Sequence, residues 1–184
     1  MAGYASPVDL ALGACVLRTE SMSTWSPFAS MGLCPELACE FFAVFSRFEY
    51  ALKASGHCKL DRCRETGQIQ RAKPDWNNFI SKMTLSAPRG SELERAVVFL
   101  TGDDAPKVQV GPGTASDDWV PRQLNGSSRE QKAVDAAKRV RNNLFHGGKH
   151  SAQDLERNEK LVQSALLVLK ECLEQNRALA SWYR

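Results

Sequence analysis

Apolar residues recur at three- and four-residue intervals in several stretches of the chain, and between those stretches the period is lost. The first clear stretch opens at Pro35, where Pro and Glu36 suit the beginning of a helix. Leu37, Phe41, Val44, Phe45, Phe48 and Leu52 then share one face until Ser55-Gly56 ends it. Asp75 is placed to cap a shorter helix carrying Trp76, Phe79, Ile80 and Met83. Ser91, with Glu94 three residues later, has the spacing of a capping box ahead of Ala96, Val97 and Phe99. A further helix is predicted from Ser127 or Ser128 to the region of His146. A last one runs from Ser151 or Asp154 to about Ser181, with Leu155, Val162, Ala165, Leu166, Leu169, Cys172 and Leu173 on a broad apolar face.

Between these elements the pattern is polar or broken. Residues 57 to 73 carry five basic and two acidic side chains and are expected to link or extend the helical core. From Gly102 to about Gly126, Val108-Gln109-Val110 has some strand character. Pro106, Gly111-Pro112-Gly113 and Pro121 nevertheless favour a long irregular loop, either a cover for a site or plain irregular packing. Residues 1 to 35 show no sustained period and read as an arm with at most a short helix around Leu10 to Leu17, ahead of a helical domain over 36 to 184. A helical bundle is the economical architecture, and the predicted fold class is all-α, with the long loop preceding the helix that ends at His146.

Composition changes this picture little. A chain of 184 residues with 43% hydrophobic and 24% charged residues has the make-up of one ordinary globular domain, large enough for a core without metal or disulfide staples. The net charge of +3 permits an anionic partner without requiring one. No Lys or Arg precedes Arg18, the early apolar stretch is short, and the Ala165–Leu169 run is too short to cross a bilayer. A cytoplasmic protein with no membrane partner is expected. None of the six cysteines forms a Cys-x-x-Cys pair. His57, Cys58 and Cys63 lack the spacing and the second half of a zinc site, so neither metal nor cofactor is expected.

The sharpest local anomaly is Arg141-Asn142-Asn143-Leu144-Phe145-His146, just before Gly147-Gly148. On a helical wheel Val134, Ala137, Arg141 and Leu144 fall together, so Arg141 interrupts a stripe that otherwise seeks burial. A guanidinium there needs a carboxylate, a solvent-filled cleft or an anionic ligand. His146 lies roughly 140° around an ideal helix from Arg141, poor geometry for a pair on one straight helix. A break at the glycines or a second protomer would complete a cleft more readily. Arginine can hold a phosphate, histidine can exchange a proton near neutral pH, and Asn142 and Asn143 can position a ribose or phosphate. Cleavage of RNA by its own 2′-hydroxyl requires this combination. Between Arg129 and Lys149 six basic residues meet only Glu130 and Asp135, a net of plus four that fits either nucleic acid or a solvated face.

The Arg-x4-His pattern of RNNLFH, followed by GGKH and a long closing helix, resembles the HEPN superfamily of small helical domains found in RNase toxins and defence systems. The segment FFAVFSRFEYALKASG is similar to the first core helix of that family, and the subgroup it most resembles is plasmid-encoded. The resemblance covers residues 36 to 181. It implies a metal-independent endoribonuclease, a toxin or antiviral effector, acting as a homodimer with a composite cleft and in some members restrained by an antitoxin protein. Carried over, Arg141 would stabilise the phosphate, His146 would transfer protons, and Asn142 would occupy the polar position after the arginine. Glu49 would correspond to an acidic residue that aligns the arginine, or would instead pair locally with Lys53. A noncatalytic module of the same kind, binding RNA, nucleotide or protein through that cleft, is the alternative.

Overall fold

The computed structural model describes residues 33–111, 118–146 and 155–184, without the side chains of Phe145 and His146. The arm expected over residues 1 to 35 lies almost wholly outside the described residues. Helix α1 spans Pro35–Ala54 with the proline in its first turn, and it buries Phe41, Val44, Phe45, Phe48, Ala51 and Leu52 as its period requires. Helix α2, Trp76–Lys82, is capped by Asp75, whose carboxylate accepts from the Asn78 N–H at 3.1 Å. Helix α3, Glu92–Thr101, starts at Ser91, whose hydroxyl accepts from the Glu94 N–H at 3.0 Å. The Glu94 carboxylate accepts at 2.6 Å from Gly90 rather than from Ser91, a capping box displaced by one residue.

Helices α4, Arg129–His146, and α5, Leu155–Gln175, pack on each other and on α3, while α1 closes over α5. The long closing helix expected to run to about Ser181 is broken. Asn176 is extended, and its side chain accepts from the Leu179 N–H at 3.0 Å, starting a separate helix α6, Arg177–Tyr183. The cap redirects the chain onto α1. There Leu179 is buried, and Arg47 donates to the carbonyls of Tyr183 at 2.8 Å and Arg184 at 3.1 Å.

The all-α expectation is wrong, because two antiparallel pairs of strands accompany the helices. Strands β1, Cys58–Arg62, and β2, Ile69–Pro74, form a hairpin where a link or helical extension was expected. The hairpin is nearly all exposed, so it never needed the apolar alternation by which a strand is recognised. Its turn is closed by Gly67 at φ 70°, a conformation that favours glycine. Lys59 lies opposite Lys73, and each finds a carboxylate: Asp75 at 3.2 Å and Asp61 at 2.5 Å. Strands β3, Val108–Gln109, and β4, Trp119–Val120, turn part of the expected irregular loop into a second short pair. No helix among the described residues is long and apolar enough to cross a membrane.

The centre of the core is an aromatic column. Trp76 lies nearly parallel to Phe48, with centroids 5.5 Å apart, and stacks on Phe45 at 5.2 Å. Phe48→Ala is expected to lower stability by about 3–5 kcal/mol, whereas Leu60→Ala on the exposed hairpin should change it by less than about 0.5 kcal/mol. Urea unfolding of the two variants checks the contrast. Equal losses would place the core elsewhere.

The α2 cap also gives a signed pH effect. The Asn78 N–H and, more weakly, Lys59 hold the Asp75 carboxyl below its ordinary value against partial burial. A depressed folded-state value contributes stability above the unfolded value, and that contribution is lost as pH falls through the folded one. Asp75→Asn keeps an acceptor for the cap but cannot titrate. Its stability should therefore fall less steeply than that of wild type through the acid range, as followed by thermal melts across pH.

Candidate functional site

Helix α4 carries the Arg-to-His segment and begins with a reciprocal cap. The Ser128 hydroxyl accepts from the Gln131 N–H at 3.2 Å, and the Gln131 side-chain oxygen accepts from the Ser127 N–H at 2.8 Å. Ala133, Val134, Ala136, Ala137 and Val140 are buried, and the small side chains let α3 and α5 approach closely. Within this run Asp135 is only 4% exposed. A carboxylate so placed must be paired. Arg139, one turn on, lies 3.4 Å from it, and Asn125 donates to it through its backbone N–H at 3.1 Å and its side chain at 3.3 Å.

Arg139 also donates to three carbonyls of the segment between α3 and α4: Arg122 at 2.7 Å, Gln123 at 3.1 Å and Pro106 at 3.2 Å. Burial presses its pKa downward, opposed by Asp135 and reinforced by nearby Arg122, though a guanidinium keeps its charge under such pressure. Asn143, 7% exposed, donates to the Lys107 carbonyl at 2.7 Å. Asn143 is thus a fastener of the loop, whereas the sequence suggested it as a ligand for ribose or phosphate. Arg157 on α5 holds the same segment through Asp104, by a hydrogen bond to its carbonyl at 2.8 Å and an ion pair at 3.4 Å.

These fasteners leave an open cleft of about 710 Å³ between α4 and the β3–β4 segment. Lys138, Arg139 and Asn142 line it from the helix, and Gln109, Arg122 and Gln123 from the facing segment. Sequence reading missed Asp135, Arg139 and Arg122. The available signal was an aspartate inside the apolar run Ala133–Ala137 with an arginine four residues later, a spacing that joins the two on one helix face.

Arg141 stands at the edge of this face. Its guanidinium carbon lies 5.3 Å from the centroid of the Phe45 ring, and its Nη1 donates to the Asn142 side-chain oxygen at 3.3 Å. Glu49 is occupied otherwise: it accepts from the Trp76 indole N–H at 3.2 Å. The ion pairs between described residues join it neither to Arg141 nor to Lys53. Helix α4 remains helical through His146, whose side chain, like Gly147, Gly148 and His150, lies outside the described residues. The position of His146 on the helix is four residues, roughly 40°, beyond that of Asn142 and therefore in the sector that lines the cleft. His57 bonds to the Asn78 side chain at 2.8 Å, and among the described residues no group of His, Cys, Asp and Glu is arranged to hold a metal ion.

Arg139→Lys removes the planar fork that reaches three carbonyls and Asp135 together. We expect a loss of about 2–4 kcal/mol. Amide exchange should accelerate at Val110, whose N–H donates to the Asp118 carbonyl at 2.7 Å. Hydrogen-exchange mass spectrometry with a parallel denaturant titration reads both; unchanged exchange over 106–123 would mean that Arg139 does not hold the segment. Neither a family model, nor a curated protein, nor a solved structure matches this chain.

Proposed function

We propose that the protein is a HEPN-like, metal-independent endoribonuclease of the cytoplasm, in which Arg141 and His146 act on a phosphodiester of RNA. The observation that carries the reading is the bridge made by Asn142. Its side chain accepts from Arg141 and lines the polar cleft, while the helix runs on to place position 146 in the same sector. Arg141 and His146 are poorly related as a direct pair, and the position of Asn142 lies between theirs on the helix.

In the proposed reaction a His146 imidazole takes the proton of the 2′-hydroxyl, and O2′ attacks phosphorus. The P–O5′ bond breaks, and the leaving O5′ is protonated by an imidazolium. The products are a 2′,3′-cyclic phosphate and a 5′-hydroxyl. Arg141 would stabilise charge on the non-bridging oxygens of the transition state, held in place beforehand by the Phe45 face. Asn142 would orient a ribose or phosphate through the amide hydrogens that its bond to Arg141 leaves unused. A homodimer would supply the second imidazole and bring Arg141 of one protomer to His146 of the other. An antitoxin protein covering the cleft would silence it.

The test is cleavage of RNA by purified protein in excess chelator, with the ends identified by their chemistry. Arg141→Ala and His146→Ala are each expected to lower the rate by about 100-fold or more while leaving the circular dichroism spectrum and oligomeric state unchanged. RNA binding without cleavage by wild type would assign the chain to the noncatalytic alternative. Full activity in both variants would sink the nuclease reading.

A further inference from the structure

The cleft beside α4 is larger than a scissile phosphate needs. Its volume of about 710 Å³ falls within the range of roughly 300–1,000 Å³ typical of small-molecule sites. Its charge is equally specific. Arg122 and Lys138 contribute two cations, because Arg139 is paired with Asp135, which Asn125 also engages. Asp118 stands beside Gly111 at the rim. Among the described residues, no ion pair is formed by Lys138 or Arg122. Amides of Gln109, Gln123 and Asn142 add neutral donors and acceptors.

We infer that this cleft binds the ribose-phosphate backbone of the RNA strand next to the cleaved bond, with Lys138 and Arg122 on a neighbouring phosphate and Asn142 handing the strand on to Arg141. The inference rests on the proposed nuclease reading for the word "next", but not for the binding itself. Two features favour a strand over a free nucleotide. The cleft is open rather than enclosed, and its described lining contains no aromatic side chain on which an isolated base would stack. Arg139 is a poor phosphate ligand, because both its terminal amino groups are committed to carbonyls and Asp135.

The probe is a short, fluorescein-labelled 2′-O-methyl oligonucleotide, which cannot be cleaved through its 2′ oxygen. Lys138→Gln combined with Arg122→Gln removes two exposed or half-exposed charges and leaves the Arg139 network intact. We expect about tenfold weaker binding at low salt and a dependence of log affinity on log salt shallower by about 1 to 1.5. Arg64→Gln at the hairpin tip should leave affinity within twofold. Equal weakening by Arg64→Gln, or no weakening by the double variant, would overturn the assignment to the cleft. Displacement of the oligonucleotide by AMP at matching concentration would overturn the strand and give the site to a free nucleotide. If wild type binds the probe through Lys138 and Arg122 yet cleaves no RNA, the nuclease reading fails and the cleft stands.

Discussion

The arrangement depends on one constraint: α4 is buried over five consecutive positions, Ala133 to Ala137. A helix in contact with neighbours on one face shows a period; a helix enclosed all round cannot keep its polar residues outside. Asp135 is caught in that turn, and an unpaired carboxylate there would cost several kcal/mol. Arg139 and Asn125 resolve the charge, and the rest of the loop follows from how they do it. Having met Asp135, the guanidinium has donors left for Arg122, Gln123 and Pro106. Electrostatic necessity in the core thus fixes a surface segment, and the segment so held makes the wall of the cleft.

The same enclosure explains which parts of the fold were legible. Helices α1, α2 and α3 were readable because each shows one apolar face and a start signal: Pro35 in the first turn of α1, and the side-chain caps Asp75 and Ser91 of α2 and α3. The β1–β2 hairpin was not, because Leu60 and Ile69 stay exposed and no alternation is imposed on it. The break at Asn176 was masked by the apolar positions that resume at Leu179. An asparagine cap carries the information, but it competes with a period that continues on paper. Arg141 was read as an intruder in an apolar stripe, and it lies half-buried on the helix that buries Val134 and Ala137. The partners expected for a guanidinium there did not include one that the structure supplies, an aromatic face.

That face deserves weighing against the alternatives. A cation over phenylalanine contributes about 0.5–2 kcal/mol depending on desolvation, less than a buried carboxylate pair and without neutralising the charge. Phe45 therefore supports Arg141 without itself supplying a counter-charge. The position is firm because Phe45 is stacked on Trp76, which is stacked on Phe48 and bonded through its indole to Glu49. Glu49, read as either an aligner of Arg141 or a structural residue, accepts from Trp76, which stacks on the Phe45 that carries the guanidinium.

The wheel then recasts the relation between arginine and histidine. Taking Arg141 as zero, Lys138, Asn142, Asp135, His146 and Arg139 occupy helical positions at roughly 60°, 100°, 120°, 140° and 160°. Four of the five line the cleft, and the fifth, His146, stands in their sector by position. The separation that made an Arg-His pair on one helix look unfavourable is the width of a polar face with Asn142 in its middle. A strand lying along the cleft would meet Lys138, then Asn142, then position 146, with Arg141 reaching in from the α1 side.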